Sequence, residues 1–334
     1  MGEVAALAAP LRFVPVYKSV VWGGRRMAGF RAGLPAGPIG ESWDLADHAD
    51  GMSVVAEGVH AGCTLQTLVA QAGSALVGAG FAGAAFPLLV KLIDAAERLS
   101  VQVHPDDELA RQLGVGPNGK TECWRVLADG GVIFQGTRPG VDRAGFEQAL
   151  AAGHVADTLN RFDPRAGDCF FLPARTVHAL GEGCLVYEVQ QTSNVTFRVH
   201  DWGRVGLDGK PRQLHVAQSL ATIDFSRTDS GPVRPSFVDH VGGGVMGVLV
   251  DCDHFRLVER RGRRLTAPAS DRCAIIIGLA GNGSVATAAG RLALAPMQTV
   301  LVPAAAGAWR VQADEPADGD EAQEMTVLVA EPKL

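Results

Sequence analysis

The chain has 334 residues, 47% apolar, 20% charged and 6% aromatic. That composition excludes disordered and collagen-like chains and leaves room for two domains, each with a core. Lys and Arg number 30 against 36 Asp and Glu, a formal charge of -6, which argues against a chain built to coat nucleic acid or an anionic membrane and for a small-molecule or protein partner. The six cysteines include no C-x-x-C pair, no run approaches the ~20 apolar residues of a membrane span, and the apolar stretch at 4–11 lacks the length and basic flank of a secretory signal. These features fit a cytoplasmic protein with reduced thiols.

Taken in chain order, helical signals are sparse. Thr64 can cap a helix whose apolar residues, Leu65, Leu68, Val69, Ala72 and Leu76, recur with the 3.6-residue period, and Gly78 stops it. Short helices are also expected from the Pro105 turn to Leu113, and over 143–152, where Phe146 and Leu150 stand four apart. The remainder reads as strands: 99–103, 122–127, 131–134, 169–172, 185–190 and 196–200, separated by Gly, Pro and Asp. Such spacing favours a sandwich or barrel over βαβ units. Residues 226–236 are polar with two prolines and read as a linker. Beyond them, 246–250, 255–258, 273–279, 291–294, 299–302, 309–311 and 325–330 read as strands with no helix.

An internal repeat connects the two parts. Gly167-Asp-Cys-Phe-Phe-Leu-Pro173, with His178 five residues on, parallels Pro296-Met-Gln-Thr-Val-Leu-Val-Pro303, with Ala308 five residues on. The second copy has lost the imidazole.

Four stretches carry candidate chemistry, the fourth being Tyr187-Glu188-Val-Gln190 followed by Thr196-Phe-Arg198-Val-His200-Asp201-Trp202. In Ser100-Val-Gln102-Val-His104 alternation places a hydroxyl, an amide and an imidazole on one face and two valines on the other. That face either lines a polar cavity or lies wet on the surface. Lys120 and Glu122 share a face beside Trp124, and His178 follows Pro173. A lone histidine is more often structural than a ligand, but Gln102, His104, Glu122 and His178 together offer one amide, one carboxylate and two imidazoles from three strand regions. That donor set suits a Zn²⁺ site with an open position, and the lack of cysteine argues against a purely structural zinc.

These motifs resemble a known family. Gly167-x5-Pro173-x4-His178 is similar to the second cupin motif, with Arg175 where many cupins have glycine. Pro15-Val-Tyr17, Val21-Trp-Gly-Gly24, Ile39-Gly-Glu-Ser-Trp-Asp44, Leu99-Ser-Val-Gln-Val-His-Pro-Asp-Asp107, Gly119-Lys-Thr-Glu-Cys-Trp124 and Tyr187-Glu-Val-Gln190 through Arg198-Val-His-Asp-Trp202 resemble, in family order, the type I mannose-6-phosphate isomerases in their short bacterial form. Ser193-Asn194 departs from the Ser-Asp often found there.

The resemblance implies a mainly β fold of two cupin-type jelly-roll barrels with short helices inserted in or packed on the first. Residues 1–225 would form the metal-binding catalytic domain and 226–334 a cupin-like domain without ligands. It implies zinc, one per chain, on Gln102, His104, Glu122 and His178; Arg198, Lys120 and Glu188 as catalytic; and Ser100, Lys120, Glu41 and Arg198 around a sugar phosphate. The implied reaction interconverts mannose 6-phosphate and fructose 6-phosphate through a cis-enediol, in a monomer or small homo-oligomer. The rivals are a metal-dependent cupin oxygenase and a non-catalytic sugar-phosphate-binding regulator. Lys120 and Arg198 in one pocket favour an anionic substrate over oxygen chemistry, and a regulator would tolerate loss of a ligand set that is complete here.

Other features carry less. Gly78-Ala-Gly80-Phe-Ala-Gly83 matches G-x-G-x-x-G but follows a helical segment, so the dinucleotide-binding context fails. Arg260-Arg-Gly-Arg-Arg264 reads as a solvated turn, and His200 and His215 as structural or surface residues.

Overall fold

The computed structural model describes residues 7–227, 229–315 and 323–334; residues 4–6 of the N-terminal apolar stretch and Thr228 of the expected linker lie outside them. The fold is mainly β, with antiparallel strand pairing in both of its sandwiches. The three expected helices form as Leu65–Ala72, Asp107–Gln112 and Arg143–Ala151. Each is capped by a side-chain oxygen accepting from the backbone three residues on: Thr64 from Thr67 (3.0 Å), Asp106 from Leu109 (2.8 Å) and Asp142 from Gly145 (2.8 Å). A fourth helix, Val216–Thr222, has no side-chain cap, and its sequence carried no start signal.

The chain groups into two compact units, each built from separated segments. One comprises Tyr17–Ser42 and Val90–Arg234; the other comprises Met1–Val16, Trp43–Leu89 and Pro235–Leu334, over their described residues.

The first unit holds two sheets. One runs in the order Leu159–Phe162, Ile133–Thr137, His178–Leu180, Val101–Val103, Phe197–His200. The other runs Pro232–Val233, Cys169–Leu172, Glu122–Val126, Leu185–Gln191, Leu88–Asp94, Ile39–Leu45, Val16–Gly24, its last three strands including residues grouped with the other unit. Trp124, Val126, Phe170, Leu172 and Val186 of the larger sheet pack on Ile133 and Leu180 of the smaller. On the smaller sheet's other face Val101, Val103, Val177, Ala179, Phe197 and Val199 pack with Phe146 and Ile223, at the helices Arg143–Ala151 and Val216–Thr222. Those helices decide the alternation problem: with both valines beneath them, Ser100, Gln102 and His104 turn inward between the sheets.

Two expectations need correction. Neither sheet closes on itself among the described residues, so the architecture is an open two-sheet sandwich and no closed barrel is seen. Closure is not needed because both inner faces are covered by each other, and one edge ends in Pro232, which has no N–H to offer a further strand. Part of the expected linker, Pro232–Val233, is itself that edge strand, paired with Cys169–Phe170.

The second unit is a sandwich of the same kind. Its six-stranded sheet orders Val238–Asp239, Val245–Asp251, Phe255–Gly262, Met325–Pro332, Ala274–Ala280 and Thr299–Val302. The facing sheet orders Arg264–Ala267, Trp309–Ala313, Gly283–Ala286 and Arg291–Leu294. Val258, Ile276, Val300 and Val327 interlock with Leu265, Val285, Leu294 and Val311. The repeat is visible in both units: Cys169–Leu172 and Thr299–Val302 each end at a proline and cross to a strand of the opposite sheet, His178–Leu180 and Trp309–Ala313. No disulfide joins the six cysteines, and no helix among the described residues is long and apolar enough to cross a membrane.

Phe170 is fully buried in the first sandwich. Phe170→Ala is expected to cost about 3–5 kcal/mol of unfolding free energy, measurable by chemical denaturation.

Candidate metal centre and sugar-phosphate pocket

The smaller sheet presents a row of cross-strand neighbours: Arg198 opposite Gln102, Gln102 opposite His178, and His178 opposite Gln135. The larger sheet faces it with Glu122 opposite Gln190 and Trp124 opposite Glu188. Strand register therefore gathers residues that lie far apart in sequence.

His104, Glu122 and His178 are buried, and one ligand atom from each lies within 4.8 Å of the others. His178 Nε2 stands 3.2 Å, and His104 Nε2 3.8 Å, from Glu122 Oε1. The other ring nitrogens face backbone carbonyls, His104 Nδ1 at Val195 O (2.8 Å) and His178 Nδ1 at Thr176 O (2.9 Å). A carbonyl only accepts, so each Nδ1 carries the proton and each Nε2 turns a lone pair inward. Burial lowers both imidazoles, His178 to about 4 and His104 well below its ordinary value, helped for His104 by the Lys120 charge. The rings are neutral. Two lone pairs and a carboxylate thus converge in a dry interior, and neither Glu122 oxygen has a hydrogen bond of normal geometry. Burial, then the Glu188 charge, pushes Glu122 up to about 7. These residues fit a divalent metal on the chemistry of their donors.

Gln102 lies beside the set. Its Nε2 lies 3.2 Å from His178 Nε2, while its Oε1 accepts from Ser100 Oγ at 3.2 Å. A half-turn of the amide presents the oxygen to the cluster.

Three cations surround the donors. Lys120 Nζ is 2.5 Å from Glu122 Oε2 and 3.3 Å from His104 Nε2. Its backbone N–H donates to Pro105 O at 3.0 Å. Gly119 makes that approach possible: a Cβ there would lie 2.4 Å from Pro105 O. Arg198 Nε donates to Ser100 Oγ (3.3 Å) and its Nη1 to Gln213 O (2.8 Å). Its backbone N–H donates to His215 Nδ1 at 3.3 Å, which gives that histidine a structural role. The third cation, Lys91, was not anticipated. It is buried, with Nζ 3.1 Å from Glu188 Oε1 and 3.7 Å from Glu41 Oε2. Trp124 Nε1 donates to Glu188 Oε2 at 2.7 Å. Burial would raise Glu188, but Lys120, Lys91 and the Trp124 bond outweigh it and hold the carboxyl at about 2.

The expected residues therefore fall into three groups: Gln102, His104, Glu122, His178 and Lys120; Ser100 with Arg198; and Glu188 with Glu41, joined by the unexpected Lys91. Among the described residues Lys120 makes no hydrogen bond or ion pair to Ser100 or Arg198, so the residues expected around the phosphate do not touch as one cluster. The missed lysine carried a signal, a charge inside the otherwise apolar run Pro87-Leu-Leu-Val-Lys91-Leu-Ile. Arg175 also finds its explanation. Its φ is +72°, the left-handed region where glycine is favoured, and its side chain donates to Thr222 O at 3.0 Å while its N–H donates to His104 O at 2.7 Å.

Residues 11–119 match the family model for the catalytic domain of type I phosphomannose isomerase. The chain is 38% identical over 218 residues to mannose-6-phosphate isomerase ManA of Bacillus subtilis, covering 64% of this chain and 68% of that one. It is 32% identical over 316 residues to mannose-6-phosphate isomerase of Streptococcus mutans, covering 92% and 96%. The chain belongs to the type I mannose-6-phosphate isomerase family. A crystal structure of the mannose 6-phosphate isomerase from Bacillus subtilis superposes with a TM-score of 0.86 at 27% identity, over 97% of this chain and 99% of that one. A putative mannosephosphate isomerase from Archaeoglobus fulgidus shares the fold with a TM-score of 0.75 at 21% identity, over 98% of each chain. For a member of this isomerase family, the buried His-Glu-His cluster is the natural place to look for the metal.

Gly119→Ala should push Lys120 off the cluster. Turnover is expected to fall about a hundredfold with the unfolding midpoint changed only slightly, a split read by steady-state kinetics alongside thermal denaturation.

Proposed function

We propose that this protein interconverts mannose 6-phosphate and fructose 6-phosphate, using a zinc ion held by Gln102, His104, Glu122 and His178. The observation that carries this reading is the convergence of two imidazole lone pairs on the buried Glu122 carboxylate, with Lys120 against it. Membership of the isomerase family supports the substrate, and the nitrogen and oxygen donor set, free of sulfur, supports a catalytic zinc. When bound, such an ion supplies a Lewis acid that favours negative charge on a sugar oxygen.

The chain's own residues do the rest. The reaction moves a proton between C2 and C1 through a cis-enediol, so a group in the pocket must take the proton and return it on the same face. Glu188 is poorly suited: both its oxygens are engaged by Lys91 and Trp124, and its low pKa leaves little affinity for a proton. Its part is to orient sugar hydroxyls and balance the lysines, with Glu41 at the pocket edge. Lys120 is the stronger candidate for proton transfer. Arg198, fixed by Ser100 and Gln213, faces charge that develops on the enediol oxygens, and Ser100, Lys120 and Arg198 offer donors to the phosphate.

We read both sandwiches as cupin-type jelly rolls and assign the chemistry to the first part of the chain, 1–225, with 226–334 as the part that has lost its ligands. The donor set comes from a single chain, so a monomer is sufficient and a small homo-oligomer compatible. A cytoplasmic setting agrees with six cysteines and no disulfide.

Treatment with a chelator is expected to abolish interconversion, and Zn²⁺ to restore it; full turnover by metal-free protein would contradict the reading. His178→Ala should lose the metal. Arg198→Ala should retain it, by elemental analysis, while kcat falls about 10²–10³-fold; near-normal turnover would remove Arg198 from its role.

A further inference from the structure

The second unit's sandwich buries a cation of its own. Arg256, Val258 and Arg260 alternate on one face of the strand Phe255–Gly262. Val258 belongs to the apolar core between the sheets, and the cross-strand neighbours of Arg260 are Met246 and Val327. Arg260 is only 3% exposed. Its Nη1 donates to Thr266 O (3.0 Å), and its Nη2 faces His240 Nδ1 (3.0 Å) and Gly243 O (3.2 Å). Its Nε is buried with no hydrogen-bond partner, and no carboxylate lies within ion-pair reach among the described residues. The expectation that 260–264 forms a solvated turn therefore fails for its first residue, whose side chain turns inward.

A buried guanidinium without a counterion is costly, and its presence calls for an anion. The surrounding structure is built to hold it in place. His240 and Gly243 belong to a loop pressed on the neighbouring backbone, where a Cβ on Gly242, Gly243 or Gly244 would lie 1.9, 2.4 or 2.0 Å from a carbonyl oxygen. Beside Arg260 opens a cavity of about 440 Å³, lined among others by Arg256, Ser270, Asp271, Trp309 and Glu331. The Trp309 ring centre is 5.9 Å from the guanidinium carbon. Trp309 directly follows Ala308, the position the internal repeat aligns with His178.

We propose that this cavity is a second binding site, for a small hydroxylated organic anion of monosaccharide size. Its carboxylate or phosphate accepts from Arg260, with Arg256, whose Nε lies 3.7 Å from Asp251 Oδ2, as a second donor at the rim. Trp309, Val258 and Met246 meet its apolar faces, and Ser270, Asp271 and Glu331 accept from its hydroxyls. The volume lies within the range of small-molecule pockets, about 300–1,000 Å³. The site holds none of the metal donors, so it stands or falls independently of the isomerase reading.

Full-length protein labelled with 5-fluorotryptophan tests this by ¹⁹F NMR, with the Trp309 resonance assigned from Trp309→Phe. Titration with glucose 6-phosphate or gluconate is expected to shift that resonance saturably at about 1 mM or below; inorganic phosphate should bind about tenfold more weakly, and sodium chloride at matched ionic strength should leave it unmoved. Whichever of the two organic anions binds more tightly identifies the head group. Arg260→Met should weaken binding at least tenfold while the other tryptophan resonances keep their positions; should that variant not fold, Arg256→Gln, at a half-exposed site, should weaken it about threefold. A resonance that neither organic anion moves up to about 10 mM, or binding undiminished in a folded Arg260→Met or in Arg256→Gln, overturns the proposal.

Discussion

The first unit depends on one electrostatic constraint: a fully buried carboxylate, Glu122, faces two neutral imidazoles whose lone pairs point at it. In a low-dielectric interior these donors repel, and a cation resolves the conflict. Lys120 does so in part, at 2.5 Å from Glu122. The remaining lone pairs define a metal site more sharply than the identity of the residues alone. Fixing them demands much of the fold: Val195 and Thr176 carbonyls hold the imidazole tautomers, Gly119 lets Lys120 sit against Pro105, and cross-strand register aligns Arg198, Gln102 and His178 in one row.

Much of this was legible in the residue pattern, and the reasons are specific. Alternation in Ser100-Val-Gln-Val-His104 separated polar from apolar faces correctly, but whether the polar face was wet depended on the helices Arg143–Ala151 and Val216–Thr222, and the second of these has no cap to announce it. Lys91 escaped because its strand, Leu88–Asp94, is buried along its whole length and shows no two-residue period. The open sheets were hidden for another reason. Closure depends on how edge strands such as Pro232–Val233 pair, and Gly and Pro punctuation marks where strands end without saying which neighbours they choose.

The two units, each a two-sheet sandwich, apply the same device to different ends. In one, Glu122 and Glu188 interrupt an inner face otherwise made of Trp124, Val126 and Val186. In the other, Arg260 interrupts a face of Val258 and Val327. A charge on the dry side of a sheet is unfavourable unless something satisfies it, and the sign of the charge states what is wanted: a cation in the first unit, an anion in the second. The net charge of -6 is thus a poor guide to either pocket, because local cations, Lys120, Arg198 and Lys91, gather around the first.

X-ray absorption spectroscopy of the zinc-loaded protein tests the central claim most directly, since it counts the donors around the ion. Two imidazole nitrogens with oxygen neighbours at about 2.0–2.2 Å, and no sulfur shell at about 2.3 Å, is the predicted result, with this coordination shell lost in His178→Ala. A sulfur shell, or a spectrum unchanged by that substitution, would place the metal elsewhere and contradict the account.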